Sequence, residues 1–220
     1  EIDEKETKYL DERILETPTI AVGNVKNEII RMGNKSKLSL ESSIESFMSQ
    51  DMNKVNKTME LEHIINNLQK SILNYLLKLS KRPLDDNERE IIDLMFNTVN
   101  DIERIGDHAE NIAELSKEYI DDKLSLSSQG KEEIKDMYKK VLEGMDLSLK
   151  SLEKNDKDIA RNVLKIEEEV NAMNKSFRAN HMIRLNQNNC DIDAGIIYLD
   201  FLSNLERISD HAVNIAQSVL

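Results

Sequence analysis

Nearly the same acidic motif occurs twice in this 220-residue chain. The stretch Asp101-Ile-Glu-Arg-Ile-Gly-Asp-His-Ala-Glu-Asn-Ile-Ala-Glu114 is repeated at an offset of 103 as Asn204-Leu-Glu-Arg-Ile-Ser-Asp-His-Ala-Val-Asn-Ile-Ala-Gln217, so both copies hold Glu-Arg-Ile-x-Asp-His-Ala-x-Asn-Ile-Ala. On a helix, at about 100° per residue, Glu103 and Asp107 lie within about 40° of each other, and Glu110 and Glu114 fall on the same stripe. Glu206 and Asp210 repeat the first pair. Like charges at i,i+4 repel by roughly 0.2–0.5 kcal/mol per pair, so such a stripe asks for cations or basic side chains. Carboxylates offered by neighbouring helices are how bundles assemble oxygen-rich metal sites. The preceding helices supply Glu62 and Asn66 in the first copy and Glu167 and Asn171 in the second. The plain alternative is a solvated acidic face, and repetition alone leaves the two readings level.

Other chemistry is sparse. Glu60-Leu-Glu-His63 matches the Glu-x-x-His of di-iron bundles, but that chemistry needs the motif on two helices. His108, His181 and His211 are preceded at i−3 by Ile105, Arg178 and Ile208. A carboxylate-bridged metalloenzyme is therefore the weakest reading. His108 and His211 point about 100° away from the aspartates beside them, which makes them packing or hydrogen-bonding groups. No Ser/His/Asp or Cys/His arrangement and no Gly-rich phosphate loop can be read, so no enzyme is expected. Cys190 reads as inert and the nine Met as core filler.

The elements that must position these residues are long helices. Six Gly and two Pro are under 4% of the chain, against about 12% in average usage. With aromatics at only 4%, β architectures are excluded. The duplication extends upstream at an offset of 105, where Leu61, Ile65, Leu68 and Ile72 align with Ile166, Val170, Met173 and Phe177. Ile159, Val163, Ile166, Val170, Met173 and Phe177 step by 4, 3, 4, 3, 4, a single helical seam. The spacing predicts helices over 18–50, 52–80, 84–121, 127–154, 156–187 and 192–220, with Pro83 at the start of the third. The expected fold class is all-α, two tandem elongated three-helix bundles related by pseudo-symmetry. The expected organisation is an acidic, solvated lead-in at 1–17, a first repeat at 18–124 and a second at 125–220.

A net charge of −12 without a basic cluster argues against nucleic acid as a partner. No apolar run approaches the roughly 18–20 residues of a membrane span. The missing initial Met suggests a piece of a longer polypeptide.

The doubled motif, on the third helix of each three-helix repeat, resembles the PhoU family of phosphate-homeostasis proteins over residues 18–220. Tyr9 to Pro18, Glu28-Ile-Ile-Arg-Met32, Asn180 to Leu185 and Gly195-Ile-Ile-Tyr-Leu-Asp200 look like the cytosolic tail of Na/Pi cotransporter-family proteins. That resemblance implies a regulatory domain of a sodium-dependent phosphate cotransporter, on the cytoplasmic side of the membrane, partnered by an upstream transporter domain and by further copies of itself. The alternative is a free-standing PhoU regulator linking a phosphate transporter to a sensor kinase. The resemblance also implies iron or zinc on Glu103, Asp107, Glu206 and Asp210, with Glu62 and Glu167 beside them. Asn66 and Asn171, where free-standing members usually carry Asp, are weaker ligands, as are Glu110 and Glu114 beyond the motif pair.

Overall fold

The computed structural model describes residues 7–187 and 191–220. Glu1, Asp3, Glu4 and Glu6 of the expected lead-in, and Cys190, lie outside the described residues. Six helices follow a short 3₁₀ turn at Glu12–Glu16: α1 (Pro18–Ser49), α2 (Met52–Leu79), α3 (Asp86–Asp121), α4 (Ser128–Lys154), α5 (Lys157–Asn186) and α6 (Ile192–Gln217). Each expected helix is present, its ends within three residues of those read from the spacing.

The start signals are local. Pro18 opens α1, and the side chains of Asp51, Ser127, Asp156 and Asp191 accept backbone N–H groups at the starts of α2, α4, α5 and α6. Pro83 stands ahead of α3 rather than opening it. A capping box does that work, with Asp85 accepting from the Glu88 backbone and Glu88 reaching back to the Asp85 N–H. The turns joining α1 to α2 and α4 to α5 are copies of one another. Gln50 and Asn155, 105 residues apart, both adopt left-handed backbone (φ 53° and 51°), and each is followed by the capping aspartate.

α1–α3 and α4–α6 form two three-helix units that share one core. The α2 seam of Leu61, Ile65, Leu68, Ile72, Tyr75 and Leu79 is buried throughout. Close approach across the halves occurs where Gly33 on α1 faces Leu149 on α4; a Cβ there would come within 2.4 Å of the leucine Cδ2. Ser43 and Ser46, and their counterparts Ser148 and Ser151, are buried with each hydroxyl returned to a carbonyl three residues back. Small side chains satisfied within their own helix let neighbouring helices draw near without a lost hydrogen bond.

Two buried glutamates separate the halves. Glu28 and Glu133 occupy equivalent positions, 105 residues apart, on the core faces of α1 and α4. Glu28 accepts the backbone N–H groups of Lys8 and Tyr9 at 2.9 and 2.8 Å and pairs with Arg31. The lead-in is thus not simply solvated: over residues 7–17 it is strapped onto the first bundle. Tyr75 donates to the Asp11 carbonyl, Leu15 is buried, and Lys78 and Arg82 pair with Glu12 and Glu16. Among the described residues the second half has no such strap. There Glu133 receives Arg184, Asn180 and Tyr198. Burial would raise the Glu133 carboxyl, but these three donors outweigh it and hold its pKa below the usual carboxylate range.

Candidate functional site

The first-half acids converge as the spacing predicts. Glu62 on α2 faces Asp107 on α3, and the Asn66 amide donates to Glu62. Burial, reinforced by the charge of Asp107, raises the pKa of both Glu62 and Glu103. Glu110 is raised by burial first and then by Glu62, Glu114 and Asp107. The answering cation is local. Arg104 lies 3.2 Å from Asp107 and 3.9 Å from Glu103 on its own helix. Glu114, whose charge still acts on Glu110, also lines a groove toward α6 with Asn111 and Asp200.

The second half is thinner. Asn171 donates to Glu167, and Arg207 stands 3.8 Å from Asp210. Val213 and Gln217 stand where the first half has Glu110 and Glu114, so Glu206 and Asp210 have no acidic continuation. Iron or zinc would need several oxygens aimed at one point. Among the described residues no three His, Cys, Asp or Glu side chains are grouped to hold one ion. The described side chains do not form a ready ligand set for such an ion.

Much of the repeated motif is spent at the seam between the halves, where α3 and α6 run antiparallel. His108 Nδ1 meets Asn204 Oδ1 at 2.9 Å, and His211 Nδ1 meets Asp101 Oδ1 at 2.8 Å. Asn111 donates to Asn204, and Asn214 to Asp101. Because both acceptor oxygens already receive an amide N–H, each histidine donates from Nδ1. The two rings stack with centroids 5.7 Å apart. These contacts are reciprocal: residue i of one copy touches residue j of the other, and the reverse holds too. Reciprocity is the mark of a twofold relation and excludes a simple translation. The motif's His and Asn therefore join the repeats, as hydrogen-bonding groups should. Burial lowers the His108 pKa, with His211 and Arg207 adding to the effect and Asn204 and Asp107 opposing it.

Glu133 did not stand out in the sequence, and Glu28 stood out only within a stretch that resembled a cotransporter tail. The available signal was Glu-Ile-x-x-Met, present at 28–32 and again at 133–137, an acid set among residues that otherwise face a core.

A fold of two antiparallel three-helix repeats joined at a duplicated Asp-His-Ala-x-Asn seam defines a class, and comparison with known proteins names it. The PhoU domain model matches residues 29–116 and again 134–219. The chain belongs to the PhoU domain family. The phosphate-specific transport system accessory protein PhoU homolog 1 of Thermotoga maritima is 27% identical over 89% of this chain and 84% of its own length. YjbB of Escherichia coli, named for inorganic phosphate export, is 25% identical over 97% of this chain but only 39% of its own length. The crystal structure of PhoU from Pseudomonas aeruginosa superposes with a TM-score of 0.85, at 22% identity, over 90% of this chain and 94% of that one.

These findings correct the cotransporter reading. The relative matched along most of its own length is named an accessory protein, and the solved chain matched nearly end to end is PhoU. The PhoU-regulator alternative fits better, and a fused transporter domain as partner is not supported. The residues that suggested a cotransporter tail have internal work. Tyr9 ties to Glu28 through its backbone N–H, and the side chains of Asn180, Arg184 and Tyr198 close around the buried Glu133.

Proposed function

We propose that the chain is a non-catalytic accessory protein of a phosphate transport system, acting in the cytoplasm through contacts with transport components. The observation that carries this reading is the double family match. Both repeats fall within the PhoU domain, and the relative covered over 84% of its length is named for that accessory role. No described helix is long and apolar enough to cross a membrane.

The test is uptake of radiolabelled phosphate by a bacterial strain lacking its own PhoU, with and without this chain. Altered uptake on expression supports the reading. Unchanged uptake at confirmed expression, or turnover of a phosphate ester by the pure protein, overturns it.

A further inference from the structure

On either side of the histidine stack, the α3–α6 seam opens as a groove. One, of about 530 Å³, is lined by Asn97, Asn100, Asp101, Arg104, Asn214 and Gln217 among others. The other, of about 280 Å³, is lined by Asn111, Glu114, Leu115, Glu118, Asp200 and Asn204. At the offset of 103, Asn111, Glu114 and Leu115 correspond to Asn214, Gln217 and Ser218, while Asp200 and Asn204 correspond to Asn97 and Asp101. All five counterparts line the first groove. The two grooves are one structure copied by the pseudo-twofold. A twofold that exchanges two antiparallel helices stands perpendicular to the plane containing them, so both grooves open on the same face. From Asn97 to Glu118 that face runs about 32 Å along α3, the reach of roughly nine or ten extended residues.

The walls carry side-chain amides on both helices: Asn97, Asn100 and Asn111 on α3, Asn204, Asn214 and Gln217 on α6. Asn111, Asn204 and Asn214 each spend one amide N–H inside the seam, and the Asn97 and Gln217 side chains bond no described partner, so an extended backbone still meets free amide N–H groups along the walls. Charge then distinguishes the ends. At the first, Asp101 is answered by His211 and Asn214, and Arg104 is the nearby cation. At the second, Glu114 and Asp200 replace Gln217 and Asn97, and Glu118 adds a third acid. Among the described residues none of these three acids is ion-paired.

We propose that the α3–α6 face is a docking groove for an extended, basic segment of a partner protein. The segment's backbone lies along the amides and its Lys or Arg side chains reach Glu114, Glu118 and Asp200. A second copy of this chain, itself at −12, brings the wrong sign. An anionic bilayer is repelled for the same reason. The proposal rests on the accessory reading only in supposing that the protein works through protein contacts.

The experiment is an NMR titration of the full chain with a ten-residue peptide alternating lysine and serine, and with its glutamate–serine counterpart. The lysine peptide should shift resonances of residues 97–118 and 200–217, and the glutamate peptide should not. The triple change Glu114→Gln, Glu118→Gln, Asp200→Asn should weaken binding about tenfold and flatten its salt dependence. Asn97→Ala with Gln217→Ala should weaken binding while leaving the salt dependence unchanged, because amides contribute no charge. Charge alone would favour the Glu62, Glu103, Asp107, Glu110 face, so shifts centred there, or spread over the whole surface, overturn the proposal. So does an absence of binding at low salt. Peptide binding in the groove by a chain that leaves phosphate uptake unchanged would remove the accessory reading and leave the groove standing. Uptake control that survives the triple change, with no peptide bound, would do the reverse.

Discussion

Arg184→Met tests the account of the buried Glu133 cluster. The Arg184 and Glu133 side chains are 9% and 8% exposed and 2.8 Å apart. Removing one member of a buried pair leaves the other charge uncompensated, which costs about 3–5 kcal/mol. Asn180 and Tyr198 remain as donors to Glu133, so the lower end, about 3 kcal/mol, is expected. For a chain of this size that corresponds to a fall in Tm of roughly 6–12 °C. The Glu133→Met, Arg184→Met pair replaces both charges with apolar groups, so it should be more stable than the sum of the two single losses predicts. A sign in pH follows. A carboxylate whose folded pKa is depressed stabilises the fold above its unfolded pKa and loses that contribution as pH falls through the folded value. The deficit of Arg184→Met should therefore be full at pH 7 and shrink below about pH 4.5. Urea denaturation across pH, with CD detection, measures it. A cost under about 1 kcal/mol, or strictly additive single changes, would refute the claim that the four residues act as one buried unit.

Three further outcomes are expected. Glu110→Gln should stabilise the protein at pH 7 by roughly 0.5 kcal/mol, because burial and then the charges of Glu62, Glu114 and Asp107 disfavour the carboxylate. Its pKa is raised in the fold, so the native carboxyl helps only below its unfolded value, and the gain from Gln should vanish near pH 4 but only shrink in 1 M salt, which screens the charges and not the burial, as thermal melts would show. Gly23→Ala should add about 0.8–1 kcal/mol, because a Cβ meets nothing within 4 Å and Ala is the better helix former. At Gly33, in contrast, the same change drives a methyl into Leu149 and should lower the urea midpoint. Gln50→Gly should stabilise by about 0.5–1 kcal/mol through its left-handed backbone, and Asn155→Gly by less because Asn tolerates that conformation.

Helix composition, the apolar seams and the duplicated motif were enough to predict six helices in two repeats, because these features are local or periodic and survive without three-dimensional information. That Glu103, Asp107 and Glu110 share a face of α3 was legible for the same reason, since helical spacing fixes which side chains lie on one stripe, whereas the approach of Glu62 depends on how α2 packs against α3. Spacing left undecided which copy of the motif meets which. Only the tertiary structure turns His108 toward Asn204 and His211 toward Asp101, 96 and 110 residues away along the chain. Translation and twofold give identical sequence offsets, and only packing of α3 against α6 separates them. The strap was hidden for a similar reason. Charges in a row at the start of a chain read as solvated, yet Glu28, embedded in a core face, must find donors or pay for its burial. It finds them in the backbone of Lys8 and Tyr9, which carry no side-chain signature. Its twin Glu133 finds them in Arg184, Asn180 and Tyr198, brought together only when α4, α5 and α6 pack.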